Sequence, residues 1–253
     1  MRGMGGVYGG RAMQRDRDQQ PGARATVSPM DPLPESPWSR PGTVAGFLAS
    51  PPNATLLRFV EARRRGAEPL RILDIGGGAG RNAAPLRERG HRVLALDLSW
   101  PMLQAGMSRP EATSGSLTFA QASMDRLPGA DRTFDIVIAH GIWNLARSGA
   151  EFRAAIGEAA RVCRTGAGLF VFTFSRSTLP GSVSPVAGET FVFTEFSGSP
   201  QCFLTERELI DELAAVGFEP DSAVPVTEHN RPRPGQLSGG GPVIYEGAFR
   251  LTG

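Results

Sequence analysis

Apolar residues come in short blocks along the chain, and the blocks alternate between the spacing of strands and that of helices. Nearly continuous apolar runs recur from residue 72 onward, and the segments between them carry apolar residues at helical intervals. Strands that alternate with helices in this way predict a doubly wound α/β fold. The predicted strands are 72–75, 93–96, 117–120, 133–139, 169–174, one that starts at Gly217, and 243–251.

The first two strands enclose the stretch around which the chain is organised, residues 71–80 (RILDIGGGAG). The first strand carries Asp74 and runs into a glycine-rich turn, and the second strand ends on Asp97. Glycines let a ligand approach the backbone closely, and the N-terminus of the following helix favours an anionic group. Asp97, about twenty residues beyond the turn, is placed to accept both hydroxyls of a ribose.

Two classes of ligand use a turn of this kind. Residues 78–83 satisfy the G-x-G-x-x-G/A pattern of dinucleotide-binding proteins. Asp74 favours the other class, an amino-acid nucleoside, because a carboxylate at the turn repels a pyrophosphate and attracts an ammonium group.

These residues resemble the first motif of the class I S-adenosylmethionine (SAM)-dependent methyltransferases, which is an acidic residue followed by glycines at alternate positions. Asp74, Gly76, Gly78 and Gly80 match that motif position by position. The resemblance continues in order over about residues 70–251. It implies SAM as the cofactor and a seven-stranded Rossmann-like α/β sheet, mostly parallel with an antiparallel last strand and with helices on both faces.

The resemblance also implies further residues that hold SAM. Beyond the first motif, they are Asp97, Leu98, Met102, Ser123, Met124 and His140. Ser123 departs from the family, which more often has an acidic residue there; a hydroxyl accepts the hydrogen bond from adenine without the charge. Asp125 is the alternative acceptor for that bond.

Methyl transfer is expected at the end of the fourth strand, where His140, Trp143 and Asn144 follow an apolar run. His140 as a general base would suit an oxygen or nitrogen acceptor; alternatively, its backbone carbonyl holds the amino group of SAM. The residues expected to contact the acceptor are Trp38, Phe47, Trp143, Arg176 and Phe196. Core packing is the alternative role for Phe47.

The chain divides into three predicted regions. Residues 1–37 have few aliphatic side chains and are predicted to be a disordered tail. Residues 38–68 are predicted to form helices that cover the cofactor, and 69–253 the methyltransferase domain. Within that domain, 176–203 is expected to be a cap over the acceptor with one strand at 190–196, and 227–241 a polar loop.

The amino-acid composition excludes several kinds of catalytic and binding site. The chain has 253 residues, a net charge of +2 and 27 basic residues, all of them arginine, which excludes a Walker A lysine and a lysine Schiff base. The two cysteines suggest no disulfide framework, and the three histidines lack metal-ligand spacing. We therefore expect a cytoplasmic protein, monomeric or homodimeric, with no metal and no nucleic-acid or membrane partner.

Together these features predict a SAM-dependent methyltransferase that modifies an O or N atom of a small apolar or aromatic molecule. Two alternatives stay open. One is an NAD(P)-dependent oxidoreductase, which the glycine pattern supports, and the other is a non-catalytic SAM-binding partner subunit, which the serine at 123 supports.

Overall fold

A computed structural model describes residues 31–33, 35–231 and 241–253 of the chain. The greater part of the predicted N-terminal tail, residues 1–30 and 34, lies outside the described residues. Residues 232–240 of the predicted polar loop lie outside them as well.

One sheet of eight strands organises the described part of the chain. Its order is β3-β2-β1-β4-β5-β10-β8, with β9 paired to β10, and a separate ribbon joins β6 to β7. The strands are β1 (Arg71–Ile75), β2 (Arg92–Asp97), β3 (Leu117–Gln121), β4 (Phe134–His140), β5 (Cys163–Phe174), β6 (Val192–Phe193), β7 (Gln201–Cys202), β8 (Phe218–Pro220), β9 (Thr227–His229) and β10 (Ile244–Leu251). Pairings among β1 to β5 are parallel and those of β10 antiparallel, which confirms the predicted fold class.

Helices cover both faces of this sheet. They are α1 (Pro41–Ala49), α2 (Ala54–Arg63), α3 (Ala83–Glu88), α4 (Trp100–Met107), α5 (Gly149–Val162) and α6 (Glu206–Ala214). Successive strand residues point to opposite faces. Ile72 accordingly packs with α2 and α3, whereas Leu73 packs with α5 and α6.

Helix α2 is part of the core and not only a cover over the cofactor, as the sequence had suggested for residues 38–68. Its side chains Leu56, Phe59 and Val60 are buried against the sheet. Asn53 caps the helix by accepting a hydrogen bond from the Leu56 amide at 3.0 Å. Burial of this apolar face fixes the N-terminus of α2 above the carboxyl ends of the central strands.

Two predicted segments differ from the structure. Of the strand expected at 190–196, only Val192–Phe193 pairs with another strand, and that pairing is confined to the small ribbon. Part of the expected loop at 227–241 is instead strand β9, which pairs with the first half of β10. Strand β8 reaches only the second half of β10, so β9 covers an edge that would otherwise stay open.

No helix among the described residues combines the length and the apolar character that crossing a membrane requires.

The glycine turn provides a test of the packing. Gly80 has φ of +76°, and a Cβ there would lie 2.8 Å from the Phe119 ring, so Gly80→Ala adds a clash to backbone strain. We expect a loss of about 2–4 kcal/mol in the free energy of unfolding, measured with urea. Gly90→Ala is the matched control, because its φ is +88° with nothing within 4 Å. It should cost only about 1–2 kcal/mol; equal losses would contradict the packing role.

Candidate functional site

In the glycine turn at the end of β1, one glycine permits close packing and another leaves space for a ligand. At Gly76, φ is +66° and a Cβ would lie 2.8 Å from the Ile142 side chain, so this glycine permits close packing of the loop after β4. Gly78 has φ of +55°, and a Cβ there would lie 3.7 Å from Met102 Sδ and 3.8 Å from Asp97 Oδ2. Gly78 is therefore the glycine whose open side faces the predicted nucleoside site.

Asp74 lies beneath this turn without a hydrogen-bond partner. Its side chain is 1% exposed, and neither carboxylate oxygen has a hydrogen-bond partner. A Cβ on Gly77 would lie 2.9 Å from its Oδ2, so the carboxylate touches the turn itself. Burial raises the pKa of Asp74 to about 7, and the nearby Arg81 partly offsets that rise. Buried carboxylates are normally paired, so Asp74 fits a site that a cationic ligand group completes.

Asp97 is held in place by the backbone around it. One carboxylate oxygen accepts a hydrogen bond from the Gly78 amide at 3.0 Å, and the other accepts one from the Ser99 amide at 2.8 Å. Burial raises the pKa of Asp97. Each oxygen of an ionised carboxylate can accept further donors, so the arrangement suits vicinal hydroxyls.

The N-terminal segment brings two aromatic rings to the same place. Trp38 and Phe47 pack edge to face with centroids 5.9 Å apart, and a Cβ on Gly78 would lie 3.9 Å from the Phe47 ring. The Ser99 hydroxyl donates to the Trp38 carbonyl at 3.4 Å and lies 3.0 Å from the Ser39 hydroxyl. Trp38, Phe47, Asp97 and Met102 thus surround one side of the glycine turn.

His140, the last residue of β4, has a side-chain nitrogen near each of its two ring nitrogens. Its Nδ1 accepts from Arg81 Nη2 at 3.2 Å, and its Nε2 lies 3.2 Å from the amide nitrogen of Asn53. The ring stacks on Phe172 at 4.3 Å. Burial, with the charge of Arg81, lowers the pKa of His140 to about 3. The imidazole is therefore neutral at physiological pH and a poor proton acceptor, which argues against the general-base role considered for it.

Two of the residues predicted for catalysis lie inside the protein. Trp143 is fully buried and packs edge to face on Phe152 at 6.1 Å, within the core between the sheet and α5. Asn144 is 2% exposed, and its Oδ1 has no hydrogen-bond partner. The core position gives Trp143 a packing role in place of the predicted contact with substrate.

The residues predicted around adenine are distributed over the β2 and β3 ends. Met102 and Met124 are buried, and the half-buried Leu98 accepts a hydrogen bond from Gln121 through its carbonyl. The Ser123 hydroxyl donates to the Asp125 carboxylate, so these two alternatives form one hydrogen-bonded pair.

Arg176 and Phe196, the two acceptor contacts predicted within 176–203, contact other residues of that segment and Phe174 at the end of β5. Arg176 donates to the carbonyls of Leu179 and Val183, and its guanidinium lies 4.7 Å from the centroid of the Phe193 ring. Phe196 is 43% exposed and packs on Phe174 and Phe203. These contacts stabilise the cap and do not join the cluster at the glycine turn.

Sequence reasoning missed three polar residues near the site. Arg81 follows the glycine turn directly, Asn53 lies in the segment 38–68 predicted only as helices, and Glu246 lies within a strand predicted from its apolar residues. Asn53 Nδ2 donates to Glu246 Oε2 at 2.6 Å, so the three residues and His140 form one polar chain. Of these three residues, only Arg81 could have been recognised from the sequence, because it directly follows the glycines. Among the described residues, no cluster of His, Cys, Asp or Glu could hold a metal ion.

Comparison with known proteins defines the class. A sequence family described as "Methyltransferase domain" matches residues 72–166. The chain is 38% identical over 168 residues to a demethylmenaquinone methyltransferase of Thermus thermophilus, covering 59% of this chain and 74% of that protein. It is also 38% identical over 116 residues to a ubiquinone/menaquinone biosynthesis C-methyltransferase of Rhizobium leguminosarum. That second match covers 44% of this chain and 43% of the length of that relative.

A solved structure shares the fold. The 1,6-didemethyltoxoflavin-N1-methyltransferase of Burkholderia thailandensis has a TM-score of 0.59 and 22% identity, covering 79% of this chain and 77% of that one. The chain belongs to the class I SAM-dependent methyltransferases, as the first motif had indicated.

The unpaired carboxylate predicts how stability depends on pH. In the folded protein Asp74 keeps its proton up to about pH 7, whereas the ordinary value is 3.8. The folded state therefore binds more protons between these values, and Asp74 lowers stability increasingly as pH rises through that window. Relative to wild type, Asp74→Asn should gain roughly 2–4 kcal/mol in the free energy of unfolding between pH 4.5 and 8.

Urea titrations at a series of pH values check this expectation. Asp211→Asn is the control, because Asp211 is 65% exposed and its substitution should change stability by less than about 0.5 kcal/mol throughout. Parallel pH curves for Asp74→Asn and wild type would show that the carboxyl titrates normally.

Proposed function

We propose that this protein is a SAM-dependent methyltransferase that acts on a small molecule. The observation that carries the proposal is the buried, unpartnered Asp74 beside a glycine turn whose open side faces Asp97. An ammonium group on one side and a ribose on the other would satisfy both carboxylates. SAM carries both groups.

Each part of the site has a distinct task. Asp74 would pair with the ammonium group, and Asp97 would accept the ribose hydroxyls. Gly76, Gly78 and Gly80 shape the turn, and Leu98, Met102, Ser123 and Met124 would contact adenine. When bound, SAM supplies a methyl group on a sulfonium, so the protein has to orient an acceptor and exclude water. The aromatic pair Trp38 and Phe47 would shield the site from solvent.

The acceptor we propose is an aromatic ring with a polar substituent. Aromatic side chains line one side of the site, and the names of the relatives specify quinone-type molecules. Transfer to an oxygen or nitrogen atom was the expectation from sequence, and the C-methyltransferase relatives support a ring carbon as a second candidate. His140, neutral and with its Nδ1 already accepting from Arg81, would position neighbouring groups and would not take up the proton.

Two competing functions are separable by ligand binding. An NAD(P)-dependent oxidoreductase would place a pyrophosphate beside Asp74, where the carboxylate repels it. A non-catalytic subunit would bind SAM and release no demethylated product.

Calorimetric titration tests the proposal. Wild type should bind S-adenosylhomocysteine and show no heat with NADH. Asp97→Ala should weaken S-adenosylhomocysteine binding by about 10–100-fold, because hydrogen bonds to a charged group are lost. Asp131→Asn, in an exposed ion pair with Arg161, is the control and should bind as wild type does. Heat with NADH and none with S-adenosylhomocysteine would reject the proposal.

A further inference from the structure

Arg81, the residue that directly follows the glycine turn, lies beside the buried carboxylate of Asp74. Arg81 is half-buried, and its positive charge partly offsets the rise in the pKa of Asp74, so the two side chains are within electrostatic reach. They form no hydrogen-bonded ion pair, because neither oxygen of Asp74 has a hydrogen-bond partner. An acidic and a basic side chain therefore lie side by side at one end of the proposed site without a direct bond between them.

Two contacts orient the guanidinium of Arg81. Its Nη2 donates to His140 Nδ1 at 3.2 Å, and its central carbon lies 5.9 Å from the centroid of the Phe47 ring. The His140 ring is itself stacked on Phe172 at 4.3 Å. Because His140 is neutral, it orients the guanidinium and leaves the positive charge of Arg81 in place.

The backbone next to Arg81 is anchored to the start of α2. The side-chain oxygen of Asn82 accepts a hydrogen bond from the Asn53 amide at 3.0 Å. The side-chain nitrogen of Asn53 lies 3.2 Å from His140 Nε2. The same residue of the α2 cap thus contacts both the neighbour of Arg81 and the ring to which Arg81 donates.

We infer that Arg81 binds the carboxylate of the amino-acid part of SAM and that His140 positions Arg81 for this contact. The inference rests on the proposed function. In an α-amino acid the ammonium and carboxylate groups are attached to the same carbon, so the residues that bind them have to be neighbours. Asp74 faces the ammonium group in the proposed function, and Arg81 is the arginine whose charge reaches Asp74. A guanidinium carries five N–H donors in a planar fork and can bind a carboxylate through two parallel hydrogen bonds.

Arg81 adds a second requirement to that of Asp74. Asp74 by itself would favour any nucleoside with an ammonium group at the right distance, whereas Arg81 also selects for a carboxylate. A nucleoside with an uncharged side chain, such as 5′-methylthioadenosine, would satisfy neither residue. The two side chains together therefore specify a nucleoside that carries an intact α-amino acid.

Calorimetric titration at pH 8, above the pKa of about 7 of Asp74, tests the assignment of Arg81. S-adenosylhomocysteine is compared with its decarboxylated analogue, S-adenosyl-3-thiopropylamine, which keeps the ammonium group and lacks the carboxylate. Wild type should bind S-adenosylhomocysteine at least about tenfold more tightly, because the analogue cannot accept the charged hydrogen bonds of Arg81. Arg81→Gln should reduce this preference to less than about threefold, chiefly by weakening the binding of S-adenosylhomocysteine.

Arg87→Gln is the matched control. Arg87 lies on α3 as well, but it donates to Ser116 Oγ at 3.2 Å, just before the start of β3 and thus at the opposite edge of the sheet. This variant should keep the preference of wild type. A preference that Arg81→Gln retains in full would overturn the assignment. Wild type itself has to show the preference, so the assignment stays testable even if a variant fails to fold.

The positioning role of His140 has its own readout. His140→Phe removes the acceptor Nδ1 and keeps an aromatic ring over Phe172, so it should lower the preference for S-adenosylhomocysteine over the analogue by about threefold or more. His140→Asn supplies a side-chain oxygen that can accept from Arg81, and it should keep the preference close to that of wild type. Equal preferences in His140→Phe and wild type would overturn the positioning role.

Failure of the proposed function gives a different result from failure of this inference. If wild type bound neither S-adenosylhomocysteine nor the analogue, the proposed function itself would be rejected. If wild type bound the two ligands equally well, the proposed function would stand and the assignment of Arg81 would be wrong.

Discussion

A carboxylate buried without a partner is the constraint on which this site depends. Asp74 lies at the end of the first strand, beneath a turn that touches it at Gly77. The sheet holds it out of water, so a cationic ligand group would stabilise its ionised form. Burial raises the pKa of Asp74 from 3.8 to about 7, so the ligand-free protein loses stability as pH rises between these values. The same carboxylate would favour a zwitterionic nucleoside over a diphosphate.

The pairing of the strands brings the proposed site residues to one edge of the sheet. The parallel strands β1, β2 and β4 end close together, so Asp74, Asp97 and His140 reach the same side of the molecule. Helix α2 contributes to both the core and the site, because its buried face fixes Asn53 over His140 and Glu246. The apolar packing of a helix thereby determines the orientation of a carboxylate two strands away from the imidazole.

The sequence could predict features whose residues lie close together along the chain, but not contacts between distant segments. Asp74, the glycines and Asp97 lie within one β-turn-α-β unit, so their local pattern already specifies their arrangement. The Arg81–His140–Asn53–Glu246 chain joins four separate segments, and no local pattern reports such contacts. Trp143 illustrates the same limit: a loop aromatic next to the site was expected to be accessible, yet the chain folds it into the core. Strand β9 was missed because its pairing depends on how far β8 extends along β10.

The proton that Asp74 carries in the ligand-free protein gives the most direct measure of its part in binding. Calorimetric titration with S-adenosylhomocysteine at pH 6, repeated in buffers of different ionisation enthalpy, reports the protons exchanged on binding. Because Asp74 is protonated in the free protein at that pH and ionised beside an ammonium group, binding should release a proton, and Asp74→Asn should release none. Binding of equal strength with no proton released by wild type would contradict the claim that this carboxylate receives the ligand's ammonium group.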